Sequence, residues 1–138
     1  MILNEVKVNY TRQTGEDNPG KVREAYLVES VSCSDAEQQV TEYLKPYIFG
    51  DFEAPQIRKR QFFEVFDNRS GDCFYEAKVE MITIDGEKET RRAVNILIKA
   101  DDITDALRDL HYDYLKTYDC EIISIKKSAI LEILRPTK

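Results

Sequence analysis

The sequence predicts an α+β domain built from two tandem β-β-α-β units, and three internal matches carry that prediction. Asp51–Phe66 lies without a gap over Asp119–Leu134, with identities at Asp51/Asp119, Glu53/Glu121, Ile57/Ile125, Lys59/Lys127 and Glu64/Glu132. Upstream, Ser34-Asp-Ala36 answers Thr104-Asp-Ala106, and further upstream Glu5-Val-Lys-Val8 answers Glu76-Ala-Lys-Val79. Matches in the same order at nearly constant offset mark an internal repeat, with copies at residues 4–66 and 75–134.

Each copy opens with a hairpin. Val6, Val8 and Tyr10 alternate with polar residues, the turn formers of Thr14–Gly20 follow, and Val22–Val28 returns. In the second copy Tyr75, Ala77, Val79 and Met81 line one face of a strand. Asp85-Gly86 supplies a tight turn, because glycine tolerates positive φ, and Ala93–Ile98 returns. A helix comes next. Ser32 and Asp102 stand where a side-chain oxygen accepts the first free amides, with Asp35 and Asp105 three residues on near the positive helix end. Ala36, Val40 and Tyr43 or Leu44 recur at helical spacing, as do Ile103, Ala106, Leu107, Leu110 and Tyr114. Pro46 and Gly50 help to end the first helix, and the second runs out near Lys116. A strand then spans Phe52–Lys59 in one copy and Cys120–Lys127 in the other, each followed by a short apolar segment. Asp67–Asp72 links the copies.

A copy of about 60 residues has little surface to bury alone. The expectation is therefore a single domain over residues 1–138. Two helices would cover one face of a shared, mostly antiparallel sheet with pseudo-twofold symmetry, ferredoxin-like in character with extra strands. Ala36, Val40, Ala106, Leu107 and Leu110 are expected to be buried against that sheet.

Composition narrows the function classes. A hydrophobic share of 42% with 33% charged residues is that of a folded protein with a solvated surface, and the net charge of −6 argues against general duplex-DNA binding. No stretch approaches a membrane span, and Met1–Tyr10 lacks the apolar core of a signal peptide, so a soluble cytoplasmic protein is expected. Cys33, Cys73 and Cys120 are far apart and odd in number, which fits reduced thiols better than disulfides or a zinc site.

Several stretches together resemble a known family. They are Tyr26-Leu-Val-Glu29, Ser34-Asp-Ala-Glu37, Tyr47–Phe52 and Ile57-Arg-Lys59 in the first copy. In the second they are Tyr75–Val79, Ile82-Thr-Ile-Asp85 and Ala100–Ile103 leading to Asp105-Ala106. The family is one of small uncharacterised proteins, a domain of unknown function, from Bacteroides-type gut bacteria and their phages. The resemblance implies a phage or mobile-element setting, in the host cytoplasm if phage-encoded. It implies no activity and no catalytic residues.

The residues themselves point away from an enzyme. His111 is the lone histidine, and Asp109 and Asp113, two residues to either side, face other ways on a helix. No Gly-rich phosphate loop, nucleophile elbow or metalloprotease helix is present. Asp101-Asp102 reads as helix capping before it reads as a metal pair, and no cofactor or metal is expected. The leading expectation is a non-enzymatic accessory protein that binds a protein partner or oligomerises. The alternative is nucleotide or single-stranded nucleic-acid binding through basic strips at equivalent places: Arg58-Lys59-Arg60 and Lys126-Lys127, with Arg91 and Arg92 joining the second. Phe62 and Phe63 would stack on bases there. Against this stands the use of Lys and Arg to protect sheet edges from aggregation.

Overall fold

The structure is a computed structural model, and it describes residues 2–12, 20–67 and 71–135. In chain order its elements are β1 (Ile2–Arg12), β2 (Gly20–Ser30), α1 (Cys33–Leu44), β3 (Ile48–Arg60), β4 (Glu64–Phe66), β5 (Cys73–Asp85), β6 (Lys88–Ala100), α2 (Ile103–Asp109), β7 (Cys120–Lys127) and β8 (Ile130–Leu134). A 3-10 turn, Lys45–Tyr47, follows α1, and a wide π turn, Leu110–Tyr114, continues α2. No helix is long and apolar enough to cross a membrane. Most of the expected first loop, Thr14–Pro19, and the centre of the expected linker, Asn68–Ser70, lie outside the described residues.

The strands form two four-stranded sheets, not the one shared sheet expected. Each sheet belongs to its own compact unit. The first unit is the chain up to Arg60 together with the segment from Ala129 on, and the second is Gln61–Ser128. In the first, the order is β3-β1-β2-β8, with β1 antiparallel to β2 and β3, and β8 parallel to β2. In the second, read in the same sense, it is β7-β5-β6-β4, with β5 antiparallel to β6 and β7, and β4 parallel to β6. The two short apolar segments are thus fourth strands, each in the unit that holds the other sequence half's hairpin.

The physical reason lies in the central strands. Ala25-Tyr-Leu-Val28 in β2 and Ile96-Leu-Ile98 in β6 are buried at every residue, so both faces of each strand are out of solvent. A sheet covered on one face alone produces alternation, whereas a continuous apolar run belongs to a strand buried on two. Those runs contradict a single helix-covered layer.

Positions that align in sequence occupy matching places in the two ladders. Val6 pairs with Tyr26 as Ala77 pairs with Ile96, and Glu5 faces Arg58 as Glu76 faces Lys126. Leu27 lies beside Ile133 as Leu97 lies beside Val65. At the tip of the second hairpin, Asp85 pairs with Lys88 and Gly86 takes the positive φ of 66° that the two-residue turn demands.

Both helices start where the caps predict. Ser32 Oγ accepts the Asp35 amide at 3.0 Å, and Asp102 Oδ1 accepts the Asp105 amide at 2.7 Å. On α1, Ala36, Val40 and Leu44 pack with Val6, Val8, Tyr10, Tyr26 and Val28. On α2, Ala106 and Leu110 pack with Tyr75, Ala77, Val79, Ile96, Ile98 and Leu115. Leu107 departs from expectation, being 42% exposed. The buried face of the helix runs through Ala106, Asp109 and Leu110, and beyond it Leu115 N–H bonds to Leu110 O at 2.8 Å, a five-residue step that brings Leu115 onto the same stripe. With the stripe running Ala106–Leu110–Leu115, Leu107 sits about 100° round the helix from Ala106 and faces outward.

Candidate functional site

The basic residues predicted as a site lie largely on sheet edges, as β3 and β7 are the outer strands of their sheets. They do not form continuous strips. Successive strand residues point to opposite faces, so Arg58 and Arg60 share the face of Glu5 while Lys59 takes the other. Arg60 is nearly buried and binds Glu5 Oε1, and Arg58 reaches the same oxygen at 3.7 Å. Glu5 is itself buried and bound to Arg60, so an anionic ligand of Arg60 would have to displace it, while Arg58 is a looser and exposed neighbour of the same carboxylate.

Arg91 does not join Lys126 and Lys127. It lies opposite Ile82 on β5, whereas Lys126 lies opposite Glu76. Six strand residues separate those positions, or about 20 Å. Arg91 instead meets Glu121 at 2.9 Å, Glu89 at 3.6 Å and Glu80 at 3.9 Å, and hydrogen bonding to Glu121 helps to hold its pKa above the usual arginine value. Lys59, Arg92, Lys126 and Lys127 are exposed, and among the described residues no carboxylate lies within ion-pair distance of them. Phe63 is committed to the fold. It packs on the core of the second unit and stacks edge-on with Tyr118 at 5.6 Å. His111 is exposed and stacks on Tyr112 at 4.7 Å. Burial, with Asp119 beside it, pushes the Cys120 thiol pKa up, which leaves it a weak nucleophile.

Two grooves, absent from the sequence reading, run beside the helices. In the second unit a groove of about 1120 Å³ lies along α2, the π turn and β7, lined by Leu107, His111, Tyr112, Lys116, Tyr118 and Ile122. Leu107, Tyr112 and Tyr118 are 42%, 65% and 42% exposed. The one sequence signal near it is Leu107, an apolar helix residue whose spacing predicts burial and which instead lines the groove. In the first unit a groove of about 940 Å³ runs between α1 and β8, lined by Val31, Gln38, Glu42, Tyr43, Glu132 and Leu134.

A third feature of the first unit is a polar cluster at the helix-side end of its sheet. Tyr10 and Tyr26 both donate their hydroxyls to Glu24 Oε1, and Arg12 approaches Oε2 at 3.9 Å. Burial and the carboxylate push the Tyr10 pKa up to about 12, and the same causes raise that of Tyr26. The Arg12 guanidinium also lies 5.2 Å from the centre of the Tyr47 ring. Buried groups joined in this way help to lock a fold in place, and among the described residues Arg12 Nε is the buried side-chain atom of the cluster that has no hydrogen-bond partner.

Comparison with curated proteins gives no match, and comparison with solved structures gives none. A family model does match, over residues 3–137, which is almost every residue whose strands, helices and grooves are described above. The chain therefore belongs to the family described as Domain of unknown function (DUF4494).

Proposed function

We propose that this chain is a non-enzymatic accessory protein, of the phage or mobile-element setting implied by its resemblance, that works by docking a protein partner in the groove of its second unit. The observation that carries this reading is the exposure of Leu107, Tyr112 and Tyr118 along one groove beside α2 and β7. Exposed tyrosines and aliphatics gathered in a concave surface are the usual anchors of a protein interface. The internal repetition of β-β-α-β halves belongs to the same reading and is supported by the equal ladder pairings of aligned residues.

The test is capture from a lysate of a Bacteroides-type host by wild-type protein and by a Leu107→Asp/Tyr112→Asp variant. A discrete protein retained by the wild type and lost by the variant, at unchanged melting temperature, supports the reading. Equal retention by both, or no retention together with a strictly monomeric mass, overturns it.

A second reading, nucleotide or single-stranded nucleic-acid binding, draws support from the exposed Lys59, Arg92, Lys126 and Lys127. Three of the seven cations first considered, Arg58, Arg60 and Arg91, are already held by carboxylates. This reading requires retention of oligonucleotide on a filter at low salt and its loss at high salt. No retention at low salt ends it.

A further inference from the structure

Edge strands differ in how they resist pairing with another chain. In the first unit, β3 carries Pro55, Arg58 and Lys59, and its ladder with β1 is broken by register shifts. In the second, β7 ends in Lys126-Lys127 and its ladder is also shifted. Proline, lysine and bulges are the usual means of blunting an edge. Strand β8, Ile-Leu-Glu-Ile-Leu, forms the other edge of the first sheet and contains no Lys, Arg or Pro. Its register with β2 is regular from Glu132 to Leu134, past a shift at Leu131.

The groove beside this edge has a definite chemistry. Glu132 lies beside Tyr26 and Leu134 beside Val28, both on the helix side of the sheet. Across from them α1 presents Gln38, Glu42 and Tyr43, with Val31 (76% exposed) at one end. Two other charged groups that line the groove are already engaged. Asp35 accepts from the Val31 amide and from Gln39 Nε2, each at 3.1 Å, and Arg135 pairs with Glu29 at 3.6 Å. Glu42 and Glu132 remain, exposed and with no cation within ion-pair distance among the described residues. An apolar floor between two unpaired carboxylates, alongside a strand edge that holds no lysine, arginine or proline, complements an extended segment whose every second residue is lysine or arginine, the charge meeting the carboxylates and the aliphatic stem covering the floor.

We propose that the first unit captures such a segment of another protein as a fifth strand on β8. Backbone hydrogen bonds along Glu132–Leu134 would supply affinity. Every second side chain would enter the groove and supply the preference, lysines or arginines meeting Glu42 and Glu132 while their aliphatic stems cover Val31, Tyr43 and Leu134, and the apolar residues between them turn to the opposite face. This surface is separate from the groove of the second unit, and the two stand or fall independently.

The probe is a labelled synthetic peptide of alternating lysine and valine, with a glutamate–valine peptide of equal length as control, followed by fluorescence anisotropy. The lysine peptide is expected to bind wild type, to bind less at high salt, and to bind Glu42→Lys/Glu132→Lys weaker by roughly tenfold or more. A Glu42→Gln/Glu132→Gln variant, which keeps side-chain volume, should fall between them, and the Leu107→Asp/Tyr112→Asp variant should bind as wild type does. Amide exchange should slow in Glu132–Leu134 on binding. Absence of binding, equal affinity for the charge-reversed protein, equal binding of the glutamate peptide, or slowed exchange along β3 or β7 in place of β8 would each overturn the proposal.

Discussion

At the same point of the two ladders, the first unit holds Tyr10, Glu24 and Tyr26 where the second holds Met81, Val94 and Ile96. One is a hydrogen-bonded cluster around a single carboxylate, the other a patch of hydrocarbon. Both sit beneath a helix that presents a small residue followed by larger apolar ones, Ala36–Val40–Leu44 in the first unit and Ala106–Leu110–Leu115 in the second. A second contrast lies on the opposite face. Glu5 is buried under two guanidiniums, whereas the matching Glu76 is half-buried and stands opposite the exposed Lys126. The comparison teaches that backbone register tolerates polar or apolar filling at one site, provided most buried polar groups keep their partners, as Tyr10, Tyr26 and Glu24 do and Arg12 Nε does not.

The largest expected effect tests the second contrast. Arg60→Ala leaves Glu5 buried with only the distant, exposed Arg58 for company, and breaking a buried pair in this way costs on the order of 3–5 kcal/mol. Lys126→Ala, its counterpart at the exposed edge, should cost no more than about 1 kcal/mol. Urea denaturation of the two variants measures the gap, and equal losses would erase the distinction between the units.

Next comes the helix stripe. Leu110→Ala should cost roughly 2–5 kcal/mol through loss of buried contacts and the cavity left behind. Leu107→Ala should stay within about 0.5 kcal/mol, the usual range for a surface change. A Leu107 variant as damaged as the Leu110 variant would mean that Leu107 shares the buried face of the helix.

The tyrosine cluster carries a smaller, pH-dependent effect. Unfolded tyrosine ionises near pH 10, while burial and Glu24 hold Tyr10 protonated up to about 12 and Tyr26 also beyond its ordinary range. The unfolded chain therefore releases protons in that window which the folded chain keeps. This contribution is whole below pH 10 and is lost as pH rises to about 12. Tyr10→Phe/Tyr26→Phe should flatten the fall in melting temperature between pH 10 and 12, and the same slope in variant and wild type would remove the cluster as its source. At neutral pH, Tyr10→Phe alone should cost about 1 kcal/mol, the value of one ordinary hydrogen bond. Met81→Leu, at the matching place in the second unit, should leave both stability and its alkaline profile nearly unchanged.

Much of the candidate surface was invisible in the sequence for a related reason. Arg58, Lys59 and Arg60 are adjacent in the chain, so they read as one basic strip. The strand period puts Lys59 on the far side of the sheet, and Glu5, 55 residues from Arg60, takes the other two. Nothing local marks Glu5 as the partner. The α2 groove was hidden by the breadth of the apolar spacing: Leu107 recurs with Ala106 and Leu110, yet it sits about 100° round from Ala106 and faces out, and past it a five-residue step places Leu115 on the buried stripe.

What the sequence alone determined is local, and it is written at short offsets. Ser32 and Asp102 cap helices through an amide three residues on, Gly86 permits the one turn geometry that closes the hairpin, and alternation assigns β1 and β5 their buried faces. These outcomes depend on interactions within a few residues, so no distant contact is needed to specify them. Tertiary structure decided where β4 and β8 go, and hence that there are two sheets instead of one. Those two segments, three and five residues long, carry no preference of their own for a partner. Their place is set by the free edges of β2 and β6, whose backbone groups they pair, and by apolar contacts such as Leu27 with Ile133 and Leu97 with Val65, gains shared among residues far apart in the chain and realised only when the strands assemble.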